Sequence, residues 1–296
     1  MILGLTEWAS EQEDIYDEVF NFTGCEYSNC DIYYGPHTKR LLPQADVVIF
    51  HHNKIRFKVH HIPTLPWRIR SKQLWVIVTR EGPGYKRFGV FPPAYNGKFN
   101  VTMTMQYDST FITNDALRVI KKEPSSEQVN YAENKTKGAF AYISHCESTG
   151  YDRLAVIREL SKYTDVDLWG SCGEPPPCPK IVAGDSYVTE CEAEQQKPYR
   201  FYLAFENQIC SSYITEKFWD RLESDSFFLP IAIGTLSPKE YRRVAPPNSF
   251  IHAYNYPSIR ALGEVYDPLF SSGIIFHNRF VSSYMDQSLY QLFKAL

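Results

Sequence analysis

The stretch Tyr199–Trp219, YRFYLAFENQICSSYITEKFW, reads as a strand, a turn and the opening of a helix. Its apolar first part delivers Glu206 and Asn207 at the carboxyl end of a strand. A short loop with Ser211 and Ser212 follows, and a helix is expected to open near Ile214, with Ser212 as its N-cap and Glu216 and Lys217 in its first turn. Free backbone N–H groups at a helix start suit phosphate oxygens, and a lysine there adds a point charge. Glu216 is placed to accept hydrogen bonds from sugar hydroxyls. The plainer reading of the same residues is a capped surface helix with a Glu–Lys pair.

Outward from this unit, short apolar runs alternate with amphipathic segments, which predicts an α/β fold with mostly parallel sheets. In the first half ILGLTEW, ADVVIFHH (45–52), QLWVIVTRE (73–81) and FNVTMTM (99–105) read as strands, each bounded by Pro, Gly or Asn. The polar run 121–137 (KKEPSSEQVNYAENKTK) reads as a linker. Beyond it GAFAYISHC (138–146), VDLWG (166–170), YRFYLAFEN (199–207), FFLPIAIG (227–234) and SFIHAY (249–254) read as strands. YDRLAVIRELSKY (151–163), ITEKFWDRL (214–222) and SIRALGEVY (258–266) read as helices. In the first of these Leu154, Ile157 and Leu160 share a face. Two α/β halves, residues 1–130 and 138–296, are expected to face each other across a cleft, where ligands sit near strand carboxyl ends.

The 296 residues suffice for two cores, and 44% hydrophobic with 22% charged residues is an ordinary folded composition. A net charge of −3 lacks the basic surplus of a nucleic-acid-binding protein. No run reaches the ~18 apolar residues of a membrane-spanning helix, and the opening MILGLTEWASEQED is too short and acidic for a signal peptide. Three Asn-x-Thr acceptors, at Asn21, Asn100 and Asn134, together with seven cysteines, suggest a secretory compartment with partial disulfide pairing and a thiol left over. The cysteine spacings repeat no zinc pattern. Asp165-Val166-Asp167 imitates a metal-binding Asp-x-Asp but straddles the start of a strand, so it is read as structural and no obligatory metal is expected, Mn2+ stimulation remaining open. His51-His52 and His60-His61 are adjacent pairs whose side chains point to opposite faces of a strand, a poor chelating arrangement; His51 and His52 are expected to line the cleft.

FYLAFENxxxxxYITEKFW resembles the signature of the α1,3-fucosyltransferases, glycosyltransferase family 10. ADVVIFHH, QLWVIVTREGP, FNVTMTMQYDS, VDLWG and SFIHAYNY resemble further blocks of that family in the same order. The resemblance implies a GT-B fold: two Rossmann-like domains, the N-terminal one binding acceptor and the C-terminal one GDP-fucose. It places donor binding on Arg153, Asn207, Tyr213, Glu216 and Lys217, with Ser144 and Glu206 as further donor-side residues. It makes Glu81, at the end of LWVIV, the general base that takes the proton of the attacking sugar hydroxyl. A β-linked donor then gives an α-linked product by inversion, while Lys217 and Arg153 stabilise departing GDP. The implied acceptor is a GlcNAc-containing glycan or glycoprotein; transfer to a protein Ser or Thr and a non-catalytic GDP-sugar-binding relative are the alternatives. The implied location is the Golgi lumen, as a type II membrane protein anchored by an upstream segment.

The match also departs from the pattern. Ser144-His145-Cys146 stands where Asn often follows the Ser, and Tyr107 and Thr110 replace an Arg and an Asp of the family's block. RLESDSFFLPIAIG appears one residue longer than usual. No closing Cys-x-x-Cys is present, so Cys25 and Cys30 are expected to pair with each other or stay unpaired.

Overall fold

The computed structural model describes residues 2–4, 32–33, 41–52, 72–82, 93–113, 135–178, 190–223, 228–245 and 249–264. Two compact units each carry one sheet. The first sheet has strands β1 (Ile2–Gly4), β2 (Ile32–Tyr33), β3 (Val47–His51), β4 (Leu74–Val78), β5 (Val101–Thr104) and β6 (Phe111–Ile112). They lie in the order β2-β1-β3-β4-β5-β6, and all neighbours are parallel. The short β2 and β6 were not foreseen from the sequence.

Alternation along β3 and β4 sorts side chains to the two faces of this sheet. Val47, Ile49, Val76 and Val78 pack with Met103 and Phe111 on one. Val48, Phe50, Trp75 and Ile77 pack with Leu42, Ala45 and Tyr95 on the other. A buried polar residue ties the second layer down: Gln73 donates to the carbonyls of Leu42 and Ala45 at 2.8 and 3.0 Å and accepts from the Trp75 indole at 2.9 Å.

The second unit runs β7 (Lys137–Tyr142), α1 (Arg153–Leu160), β8 (Val166–Trp169), α2 (Glu190–Gln196), β9 (Tyr199–Phe205), α3 (Glu216–Glu223), β10 (Leu229–Ile233), α4 (Pro238–Val244), β11 (Ile251–His252) and α5 (Ile259–Glu264). Its parallel strands are ordered β11-β10-β9-β7-β8. Lys137, which the sequence reading assigns to the linker, opens β7; the rest of that linker up to residue 134 lies outside the described residues.

Both faces of this sheet are covered, as in a doubly wound fold. Ala139, Ala141, Phe201, Leu203, Phe205, Ile231 and Ile233 pack against Ile157 and Leu160 of α1 and Leu262 of α5. Phe140, Tyr202, Ala204 and Ala232 pack against Phe218 and Trp219 of α3 and Tyr241 of α4. Full burial of each such large side chain contributes roughly 1.5–3 kcal/mol. Leu154, expected on the buried face of α1, is only partly buried, and Arg153 is buried instead.

Two disulfides staple this unit: Cys146–Cys172 joins the loops after β7 and β8, and Cys178–Cys191 leads into α2. Cys210 forms no disulfide, and Cys25 and Cys30 lie outside the described residues. Gly170, just after β8, has φ +102°, and a Cβ there would lie 2.6 Å from the Ile143 carbonyl oxygen, so only glycine fits.

Candidate active site

In the second sheet the chain leaves β7 for β8 on one side and returns to β9 on the other. This reversal is a topological switch point, and open α/β sheets bind ligands at the strand carboxyl ends there. Residues 143–152 follow β7 and residues 206–215 follow β9. The two loops are laced together: Thr149 N–H donates to the Asn207 carbonyl at 2.9 Å and Ile209 N–H to that of Thr149 at 3.0 Å.

Arg153, first residue of α1 and 2% exposed, runs inward from a helix capped by Asp152, whose carboxylate accepts from Ala155 N–H at 2.9 Å. Its guanidinium donates through Nη1 to the Phe205 carbonyl at 3.3 Å and through Nη2 to the His145 carbonyl. One side chain thereby joins the end of β9 to the loop after β7. Burial lowers its pKa, opposed by Tyr151 and Glu206. Arg153 thus ties the loop after β7 to the end of β9, a role invisible in a first-turn arginine read from sequence. Ser144, in the same loop, is exposed.

Glu206 is wholly buried at the end of β9. Its Oε1 accepts from Thr215 N–H at 2.8 Å and from the Thr215 hydroxyl at 2.9 Å, and Oε2 lies 2.8 Å from that hydroxyl. Lys217 Nζ stands 3.5 Å from Oε2 and donates to Glu216 Oε1 at 2.9 Å and to Thr215 Oγ1 at 3.1 Å. Burial pushes the Glu206 pKa up to about 7, with Lys217 pulling it down, Glu216 pushing it up and the Thr215 bonds pulling it down. The Lys217 pKa is raised: desolvation acts against the charge, but Glu216 and Glu206 outweigh it. The lysine side chain is 25% exposed and that of Glu216 46%, so both reach solvent from the first turn of α3.

The helix start corrects one expectation. Ser212 is not the N-cap: it sits in the preceding turn with φ 59°, left-handed for a non-glycine residue. Thr215 caps α3, its hydroxyl accepting from Lys217 N–H at 3.3 Å. The turn is held from α4 instead, where the Glu240 carboxylate accepts from Ser211 Oγ at 3.2 Å and from Ser212 N–H. Next to it the Tyr213 hydroxyl donates to Asn207 Oδ1 at 2.9 Å, both residues being buried. Arg153, Glu206, Asn207, Tyr213, Glu216 and Lys217 therefore converge through the loops after β7 and β9. Thr215 and Glu240 escaped the sequence reading. A threonine directly before Glu-Lys is a cap signal for the first, and Ser-Pro-Lys-Glu (237–240) is a helix-start signal for the second's element.

In the first unit Glu81 is half-buried just past the carboxyl end of β4. Its N–H donates to Thr79 Oγ1 at 3.1 Å, and that hydroxyl lies 3.3 Å from the Glu81 carbonyl and 3.4 Å from His52 Nδ1. His51 and His52 are both buried, and burial lowers the pKa of His52. The pair at 60–61 lies outside the described residues. Asp167 accepts from Lys137 at 2.9 Å and from the Tyr199 hydroxyl, so its carboxylate is engaged within the sheet. Among the described residues no group of three or more His, Cys, Asp or Glu is placed to hold a metal ion, and no helix is long and apolar enough to cross a membrane. Asn100 is exposed, but its Oδ1 accepts from Trp75 N–H at 3.0 Å and the hydroxyl of Thr102 accepts from Thr110 N–H at 2.9 Å. Asn21 and Asn134 lie outside the described residues.

Comparison with known proteins matches residues 2–115 to the profile "Fucosyltransferase, N-terminal" and residues 132–276 to "Glycosyltransferase family 10 (fucosyltransferase) C-term". Glycoprotein 3-alpha-L-fucosyltransferase A of Drosophila melanogaster is 31% identical over 83% of this chain and 45% of its own length. The Pan troglodytes 4-galactosyl-N-acetylglucosaminide 3-alpha-L-fucosyltransferase FUT6 is 29% identical over 76% of this chain and 57% of its own. The chain thus spans about half the length of the curated relatives it matches. A crystal structure of an alpha1,3-fucosyltransferase superposes over 100% of this chain and 87% of that one, with TM-score 0.56 and 16% identity. The same is true, at TM-score 0.53 and 15% identity over 88% of that chain, of an alpha1,3-fucosyltransferase solved with GDP-fucose. The α/β architecture with two parallel sheets is accordingly GT-B, and the chain belongs to glycosyltransferase family 10, the fucosyltransferases.

Proposed function

We propose that this chain is the catalytic region of an inverting fucosyltransferase that moves L-fucose from GDP-β-L-fucose to a GlcNAc-containing glycan in α1,3 linkage. The observation that carries the reading is the charged cluster at the start of α3, where Lys217 reaches solvent from a capped helix N-terminus at the switch point of the second sheet. In the reaction an acceptor hydroxyl attacks the anomeric carbon from the face opposite GDP. The bond from that carbon to the β-phosphate oxygen breaks, GDP keeps the electron pair, and the hydroxyl proton passes to the Glu81 carboxylate. Lys217, backed by Arg153, stabilises the charge growing on the diphosphate. Glu216 binds ribose hydroxyls; Asn207, Tyr213 and Ser144 complete the donor contacts. No metal is obligatory in this scheme. The residues 1–130 hold the acceptor and 138–296 the donor, and the chain works in the Golgi lumen behind an upstream membrane anchor, a placement favoured by two disulfides and the Asn-x-Thr acceptors.

The test is GDP release from GDP-fucose over a panel of GlcNAc-terminated and peptide acceptors, with product linkage analysed. Glu81→Gln is expected to lower turnover about 10²–10⁴-fold while GDP-fucose still binds. Lys217→Ala is expected to weaken donor binding. Near-wild-type turnover by Glu81→Gln removes the base assignment; stabilisation by GDP without turnover on any acceptor makes the protein a binding relative.

A further inference from the structure

Glu206 lies deeper than any group the reaction needs. It is 0% exposed, yet three hydrogen-bond contacts from Thr215 and one lysine address its carboxylate. The groups facing it come from each neighbouring element. Glu216 and Lys217 belong to α3. Arg153 of α1 and Tyr151 before it approach from the other loop, the Tyr151 hydroxyl donating to the Glu206 carbonyl at 2.6 Å. Tyr241 of α4 approaches across Gly234, where an added Cβ would lie 2.4 Å from Glu206 Cγ and 2.8 Å from the tyrosine oxygen. The carboxylate itself is thus out of contact with solvent, and its cationic partner is Lys217.

The ammonium of Lys217 is the partner free to leave. It spans two carboxylates, at 2.9 Å from Glu216 and 3.5 Å from Glu206, and its chain reaches solvent. A buried carboxylate that loses its countercharge is costly to keep ionised and takes up a proton instead. Resting on the donor-site reading above, we propose that Glu206 is a positioning residue that fixes Thr215 and the Lys217 ammonium, and that it takes up one proton from solvent when a nucleoside-diphosphate sugar draws that ammonium to its phosphates. The proton neutralises the carboxylate as the ion pair loosens, so no charge is left stranded. The raised pKa of Glu206 agrees, since a carboxyl titrating at about 7 is poised for uptake at working pH.

The consequence is a donor affinity that falls as pH rises, because binding a proton with the ligand favours the complex at low pH. GDP-fucose is the probe to use without acceptor: both its phosphates are esterified, so it lacks the ionisation near pH 6 that a terminal phosphate carries. Calorimetric titration at pH 6.5–8.5, repeated in buffers of different ionisation heat, counts protons directly. The wild-type chain is expected to take up most of one proton per donor near pH 8 and to bind about tenfold more weakly at pH 8.5 than at 6.5. Glu206→Gln is expected to abolish the uptake and flatten the profile. Zero uptake by the wild type overturns the proposal whether or not the variant folds, as does full uptake by Glu206→Gln. Unchanged GDP-fucose affinity in Lys217→Ala would instead overturn the donor-site reading on which it rests.

Discussion

Replacing Arg153 by Met keeps most of the aliphatic volume but removes the donors to the Phe205 and His145 carbonyls. The Phe205 carbonyl is buried, and leaving it unsatisfied costs about 1–3 kcal/mol, whereas His145 is exposed and its carbonyl can turn to water. Part of this is offset because the guanidinium no longer has to be desolvated, so a net loss of about 1–2 kcal/mol is expected. For a unit of this size that lowers the unfolding midpoint by about 2–8 °C in scanning calorimetry. Because the same side chain joins the two loops of the crevice, GDP-fucose affinity should fall with it. Arg153→Lys separates two roles: the charge survives but the fork that reaches two carbonyls does not. The structure predicts that Lys recovers little stability and little donor affinity. A Met variant that melts with the wild type, or a Lys variant restoring both properties, would refute the reasoning.

Glu240→Ala orphans the buried Ser212 N–H at about 1–3 kcal/mol and releases a turn held in a left-handed conformation. Weaker GDP-fucose binding, by about tenfold for each 1.4 kcal/mol expressed in the complex, is expected in isothermal titration, with partial recovery in Glu240→Gln. The double change Cys146→Ser with Cys172→Ser reopens a loop of 26 residues and should destabilise the second unit by about 3.5 kcal/mol in urea unfolding. His252 is fully buried, and burial followed by Arg242 lowers its pKa to about 4. The unfolded chain therefore binds the proton more tightly. This contribution to stability is intact above pH 6.5 and is lost as pH falls towards 4, by up to about 3 kcal/mol. Urea midpoints at pH 7 and 4.5 should diverge in the wild type and converge in His252→Asn.

The layered fold was legible because parallel strands buried on both faces write themselves as apolar runs: LPIAI and YRFYLAF are nearly uninterrupted. Short edge strands such as Phe111–Ile112 bury too few residues to leave a pattern. The helix ECEAEQQ carries no apolar stripe, its Cys191 being held by a disulfide rather than by packing. In the site, Glu216 and Lys217 were readable because a helix start is a local event. The burial of Arg153 and Glu206 was not readable, since it depends on Phe205 and Thr215, brought in by the fold. Glu240 illustrates the limit: its Ser-Pro-Lys-Glu context suggests a carboxylate turning back on its own helix, yet the side chain holds Ser211 and Ser212, 28 residues away from the latter in sequence. Nothing local announces that reach.

The two described disulfides each link one cysteine to the next along the chain, Cys146 to Cys172 and then Cys178 to Cys191, with neither loop enclosing the other. During synthesis at about 5–20 residues per second, the partner of Cys146 follows within roughly 1–5 seconds, before any later competitor has emerged. Both native loops are short, 26 and 13 residues, so closing either costs little chain entropy once its two cysteines have emerged. Within this unit, pairing in order of appearance gives the two cross-links observed, and Cys210, the last to emerge, forms no disulfide.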